Sequence, residues 1–153
     1  MTPRTFLKKT ILSALLIVSV CGAALAGNGH IINEKLLQNF KQTFPDAQQV
    51  KWLEQADKYT VNFTENGILT KIDYDKEGNF MSSLRYYSEK NLPVNILVKL
   101  QKKYADKKVF GVTELTTDTV VDYYIKLEDD RNWITVRSNA DGNMQVVEKY
   151  KKV

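Results

Sequence analysis

Apolar residues recur along this chain at two different periods. Leu36, Leu37, Phe40 and Phe44 fall at helical spacing, as do Ile96, Leu97, Leu100 and Tyr104. Pro45 closes the first helix, and Pro93 fits the first turn of the second. Elsewhere the period is two. Tyr59, Val61 and Phe63 alternate with Thr60, Asn62 and Thr64, which predicts antiparallel strands with one face on a helix and the other open. Four strands are predicted after each helix, around 50–54, 58–64, 68–74 and 80–87, then around 109–115, 120–127, 133–138 and 144–150.

The two sets of elements are copies of one plan. YYIKL at Tyr123 matches YTVNF at Tyr59, and NADGNM at Asn139 matches DKEGNF at Asp75, both at a spacing of 64. Upstream the spacing is 60, pairing ILVKLQKKY at Ile96 with LLQNFKQTF at Leu36, and FGVTE at Phe110 with VKWLE at Val50. The four extra residues fall between Glu114 and Tyr123, where a longer hairpin loop is expected. The fold class is therefore α+β: two tandem α-β-β-β-β repeats, residues 34–90 and 91–153, each an antiparallel four-stranded sheet packed on one helix.

The N-terminus changes the reading of composition. Arg4, Lys8 and Lys9 precede the apolar run Ile11 to Val20, and Ala24-Leu25-Ala26 supplies small residues for cleavage, so residues 1–26 read as a secretory signal peptide and 27–33 as a flexible start. The run is too short to favour a retained membrane helix. A lipoprotein signal is disfavoured because bulky Val20 precedes Cys21. Cleavage after Ala26 removes three of the 22 Lys+Arg and none of the 18 Asp+Glu, leaving a net charge of about +1 on 127 residues. A near-neutral chain without a basic stripe argues against nucleic acid as a partner. Cys21 leaves with the signal, so disulfides and cysteine chemistry are excluded from the mature chain.

The repeated halves, the Leu92-Pro93 pair before a helix ending in an aromatic, and the DxxGN turns resemble the PepSY-like periplasmic family of Bacteroidetes. That resemblance covers nearly all of the mature chain. It implies a fold related to the β-lactamase inhibitor protein, whose sheets form a face that grips a protein, and it supplies no active site to carry over.

One stretch invites a metal. In DYDKEGNF, Asp73, Asp75, Glu77, Gly78 and Phe80 satisfy the first eight positions of a calcium loop, but Met81 and Leu84 occupy positions 9 and 12, so a full EF-hand is excluded. A short hairpin turn explains the same residues, and the second copy keeps the turn while replacing Asp73 with Arg137 and Asp75 with Asn139. A weak calcium site over Asp73, Asp75 and Glu77 remains the alternative, and no other cofactor is implied.

Enzymatic chemistry finds little support. His30 is the one histidine, which excludes zinc-site spacing, and Asp129 and Asp130 read as turn residues. Neither a glycine-rich phosphate loop nor a G-x-S-x-G elbow occurs. What the alternation does offer is a surface. With Tyr59, Val61, Phe63, Ile72, Tyr123, Ile125, Leu127, Ile134 and Val136 pointing inward, the expected open face carries Leu69, Lys71, Arg85, Tyr87, Tyr124, Trp133 and Arg137. The chain thus reads as a non-enzymatic periplasmic protein that binds a protein or small ligand through this face. A calcium-responsive module and a structural envelope protein are the alternatives, and a homodimer is one way to cover the face.

Overall fold

A computed structural model describes residues 32–153; the signal segment, Cys21 and His30 lie outside the described residues. Helix α1 spans Glu34–Thr43 and α2 spans Val94–Lys103, with strands β1 Gln48–Glu54, β2 Lys58–Glu65, β3 Ile68–Asp75 and β4 Phe80–Tyr87 after the first. Strands β5 Lys108–Thr117, β6 Val121–Glu128, β7 Asn132–Asn139 and β8 Met144–Lys151 follow the second. Asn33 caps α1 by accepting the backbone N–H of Lys35 at 2.9 Å, and Glu34 adds a favourable charge in the first turn. Pro93 stands at the N-cap of α2, and Lys102 and Lys103 complement its carboxyl end.

The expected pair of four-stranded sheets is corrected here: the strands form one eight-stranded antiparallel meander in chain order. The seam is β4 against β5, from Ser82↔Thr117 to Tyr87↔Val112. Its cause is the four-residue insertion. The β5–β6 connection, residues 118–120, is no longer than its counterpart at 55–57; the insertion lengthens the strand instead, so that β5 has 10 residues where β1 has 7. Residues Glu114 to Thr117 are the part of β5 that meets Arg85, Leu84, Ser83 and Ser82. Two sheet edges that would otherwise expose a row of N–H and C=O groups therefore satisfy each other.

Both helices lie on one face of this sheet. Phe40 of α1 packs with Val61, Phe63 and Ile72, while Ile96 and Leu100 of α2 pack with Val112, Ile125, Leu127, Ile134 and Val136. All nine residues expected to point inward are buried. The helices are held differently. Asn95 and Lys99 of α2 donate to the carbonyls of Ala140 and Asp141 in the β7–β8 turn, and Lys103 to that of Met144 at the start of β8. No side chain of α1 makes such a bond to the β3–β4 turn among the described residues.

Candidate functional site

The DYDKEGNF segment resolves into a strand end and a turn. Asp75 accepts the backbone N–H and the side-chain amide of Asn79, each at 2.8 Å, and Gly78 takes φ +90°, a left-handed conformation that favours glycine. In the second copy Asn139 accepts the backbone N–H of Asn143 at 2.9 Å and Gly142 takes φ +79°. An amide thus makes the same backbone contact as the carboxylate, so closure of the turn does not require the charge. Asn79 holds the Asp75 carboxyl below its usual range.

Asp73 belongs to the sheet rather than to the turn. Its carboxylate accepts from Lys58 Nζ at 2.9 Å and from the Thr60 hydroxyl at 2.6 Å, with Lys71 Nζ at 3.6 Å. Burial alone would raise its pKa, but Lys58, Thr60 and Lys71 together hold it below the ordinary value. Among the described residues no group of three or more His, Cys, Asp or Glu is placed to hold a metal ion. Asp75→Asn is accordingly expected to change stability by less than about 0.5 kcal/mol. Thermal unfolding in chelator, calcium and magnesium should show no calcium-specific rise; a rise lost in Asp75→Asn would assign a metal site to this turn.

A carboxylate held low in the fold binds its proton more readily in the unfolded chain. The stabilisation from Asp73 is therefore complete above about pH 4, the unfolded carboxylate range, and is lost as pH falls through its lower folded value. Thermal midpoints recorded from pH 2 to 7 should fall on the acid side, and Asp73→Asn should flatten that fall while lowering the neutral plateau.

On the open face, the register places Leu69, Lys71, Tyr124, Trp133 and Arg137, as the sequence implied. Two expected members are corrected. Ile72 lies across from Ser83, so Ser83, Arg85 and Tyr87 share the helix-bearing face. The displaced register between Asp73 and Tyr74 shifts the parity of β4, which an unbroken alternation from the turn would misassign. Tyr87 is 8% exposed. It donates to Glu114 Oε2 at 2.5 Å, while Arg85 Nη1 donates to Glu114 Oε1 at 3.1 Å. Burial, with Glu114 adding to it, pushes the Tyr87 hydroxyl well above its ordinary pKa.

Trp133 is the centre of the open face's second half. Its ring meets Phe110 edge-on at 5.0 Å, with Lys152 Nζ 4.7 Å and Lys126 Nζ 5.5 Å from the ring centroid. Phe110 is 65% exposed and was missed by alternation because it sits in the β5 bulge, where register shifts between Val109 and Gly111. The repeat held a signal. Val50, its counterpart, sits in the matching bulge of β1 between Gln48 and Lys51. Tyr150 of β8 pairs across from Trp133 and extends the patch.

An eight-stranded antiparallel sheet with two helices on one face makes this an α+β fold. Three solved structures from Bacteroides resemble it in fold. A BLIP-like protein of Bacteroides fragilis NCTC 9343 is 17% identical with a TM-score of 0.57, over 80% of this chain and 89% of that one. A DUF2874 family protein of Bacteroides ovatus ATCC 8483 is 20% identical with a TM-score of 0.58, over 80% and 89%. A protein classed as periplasmic, from Bacteroides eggerthii DSM 20697, is 13% identical with a TM-score of 0.57, over 80% and 90%. At these identities the likeness is one of fold. No family model and no curated protein matches the chain. No helix among the described residues is long and apolar enough to cross a membrane.

Proposed function

We propose that this chain is an exported, non-enzymatic protein that binds a protein partner through the open sheet face, with Trp133 at the centre of the contact. The observation that carries this reading is the Phe110–Trp133 pair, an edge-to-face contact between an exposed Phe110 and a half-buried Trp133, flanked by two lysines on the face opposite both helices. Aromatic residues carry a large share of binding energy at interfaces because they bury much area with few rotatable bonds. Tyr124, Arg137, Leu69 and Lys71 extend the same face across the sheet. The sheet's edges are poorer candidates. Both β1 and the β7–β8 pairing are interrupted by bulges, and Lys51, Lys149 and Lys151 line the outer strands, devices that discourage strand addition.

The test uses immobilised mature chain against a cell-envelope extract, followed by titration with the purified captured protein. Trp133→Ala is expected to weaken binding by about 2 kcal/mol or more, roughly 30-fold, while the thermal midpoint stays within a few degrees. Equal affinity of wild type and variant would overturn this face. Sedimentation of the purified chain alone identifies the case in which the partner is a second copy.

A further inference from the structure

The helix-bearing face holds a second feature that the open-face reading does not use. A cleft of about 500 Å³ lies where α1 stops short of the seam, walled by Phe44, Phe63, Ile68, Ile72, Tyr74 and Phe80. Its polar groups are unevenly placed. Arg85, Ser83 and Thr116 lie together on β4 and β5, since Ser83 pairs with Thr116, whereas Glu65 lies at the β2–β3 end with Thr43 of the α1 carboxyl end.

The geometry points to this cleft as a binding site for a free single-chain amphiphile with a carboxylate head, its tail among Phe44, Phe63 and Phe80 and its head at Arg85. The volume falls within the ordinary range of about 300 to 1,000 Å³ for small-molecule sites, and the lining has their usual composition, mostly apolar with a few polar groups. Charge fixes the orientation. Arg85 spends one N–H on Glu114, and its other N–H groups have no partner among the described residues. Glu114 is meanwhile shared with Tyr87, so the guanidinium retains capacity for a second carboxylate. Two strands away, on β2, Glu65 and the nearby carbonyl end of α1 disfavour an anion.

The two halves line their clefts differently: a smaller one beside α2, about 310 Å³, includes Tyr104 and Leu127, the counterparts of Phe44 and Phe63, but no arginine. At a spacing of 64, Thr70, Tyr74, Phe80 and Arg85 correspond to Ile134, Ser138, Met144 and Lys149, and Met144 packs partly buried against the core. Three side chains tie α2 to the β7–β8 turn and the start of β8, whereas among the described residues no side chain of α1 bonds the β3–β4 turn beside the cleft.

Calorimetric titration of the mature chain with dodecanoate, kept below its micelle concentration, tests this assignment. Saturation at one per chain is expected. Arg85→Gln should weaken dodecanoate at least tenfold while leaving dodecyltrimethylammonium, with the same tail and opposite head, bound no more weakly than before. Ser83→Leu, which fills the floor, and Phe80→Glu, at the exposed rim, should each weaken dodecanoate, and the rim variant keeps the test decisive if the floor variant does not fold. Trp133→Ala should bind dodecanoate as wild type does, which separates this site from the open face. Absence of saturable binding, or indifference to Arg85→Gln and Phe80→Glu together, would overturn the proposal. So would sedimentation with phosphatidylglycerol vesicles without uptake of monomeric dodecanoate.

Discussion

Phe63→Ala is expected to lower stability by about 3 to 5 kcal/mol and the thermal midpoint by roughly 10 to 20 °C. Phe63 is 2% exposed and meets two other rings, with centroids 5.1 Å from Phe40 and 4.8 Å from Phe44. Phe40 and Phe44 are how α1 grips the sheet, because this helix has no side-chain bonds to the β3–β4 turn to fall back on among the described residues. Alanine removes the ring to which both were fitted. The loss should therefore be uneven: amide exchange in α1 and β1 to β3 should accelerate more than in α2, which Asn95, Lys99 and Lys103 secure independently of its core contacts. Equal acceleration in both halves would show that the shared sheet makes the molecule one cooperative unit.

Removing Arg137 is the other change with a large expected effect. Its guanidinium bonds Asp122 Oδ2 at 2.7 Å, and the Asp122 side chain is only 6% exposed, with Oδ1 lacking a hydrogen-bond partner among the described residues. Arg137→Ala would strand that carboxylate, at a loss of about 3 kcal/mol, the lower end for a broken buried pair because the arginine itself is partly exposed and water can replace it. Asp122→Asn in the same chain should recover much of the loss. The repeat offers a stricter check. Lys58 and Asp73 stand at the positions equivalent to Asp122 and Arg137, so the same cross-strand pair occurs twice with its polarity reversed. Writing the first polarity into the second half, Asp122→Lys with Arg137→Asp, should be more stable than Arg137→Ala in urea unfolding. A reversed chain as unstable as the alanine variant would mean that burial of Asp122, not pairing, sets the requirement.

Much of this architecture was legible because the halves repeat. Alternation around Val61 and Ile125 gave the strand faces, and the helical spacing at Phe40 and Leu100 gave the stripes that cover them. The open face was legible only in part. Trp133, Tyr124, Leu69, Lys71 and Arg137 follow from simple alternation, whereas Phe110 does not, since a bulge gives one strand an extra residue and so moves a side chain across the sheet. The same effect in β3–β4 turned Arg85 and Tyr87 inward. Asp75 illustrates the converse: the sequence raised a metal ligand, and comparison with Asn139 already favoured a turn.

By itself, then, the sequence determined the elements, the repeat and the turn chemistry, because these depend on neighbours within a few residues: periodicity, caps, and a glycine at positive φ. Only the tertiary structure decided that the four inserted residues lengthen β5 and weld two sheets into one, that β4 turns Arg85 toward the helices, and that a cleft remains beside α1. Each of these rests on which strand edges meet and in what register. Register is settled by contacts between segments far apart in the chain, where burial of whole faces outweighs any local preference.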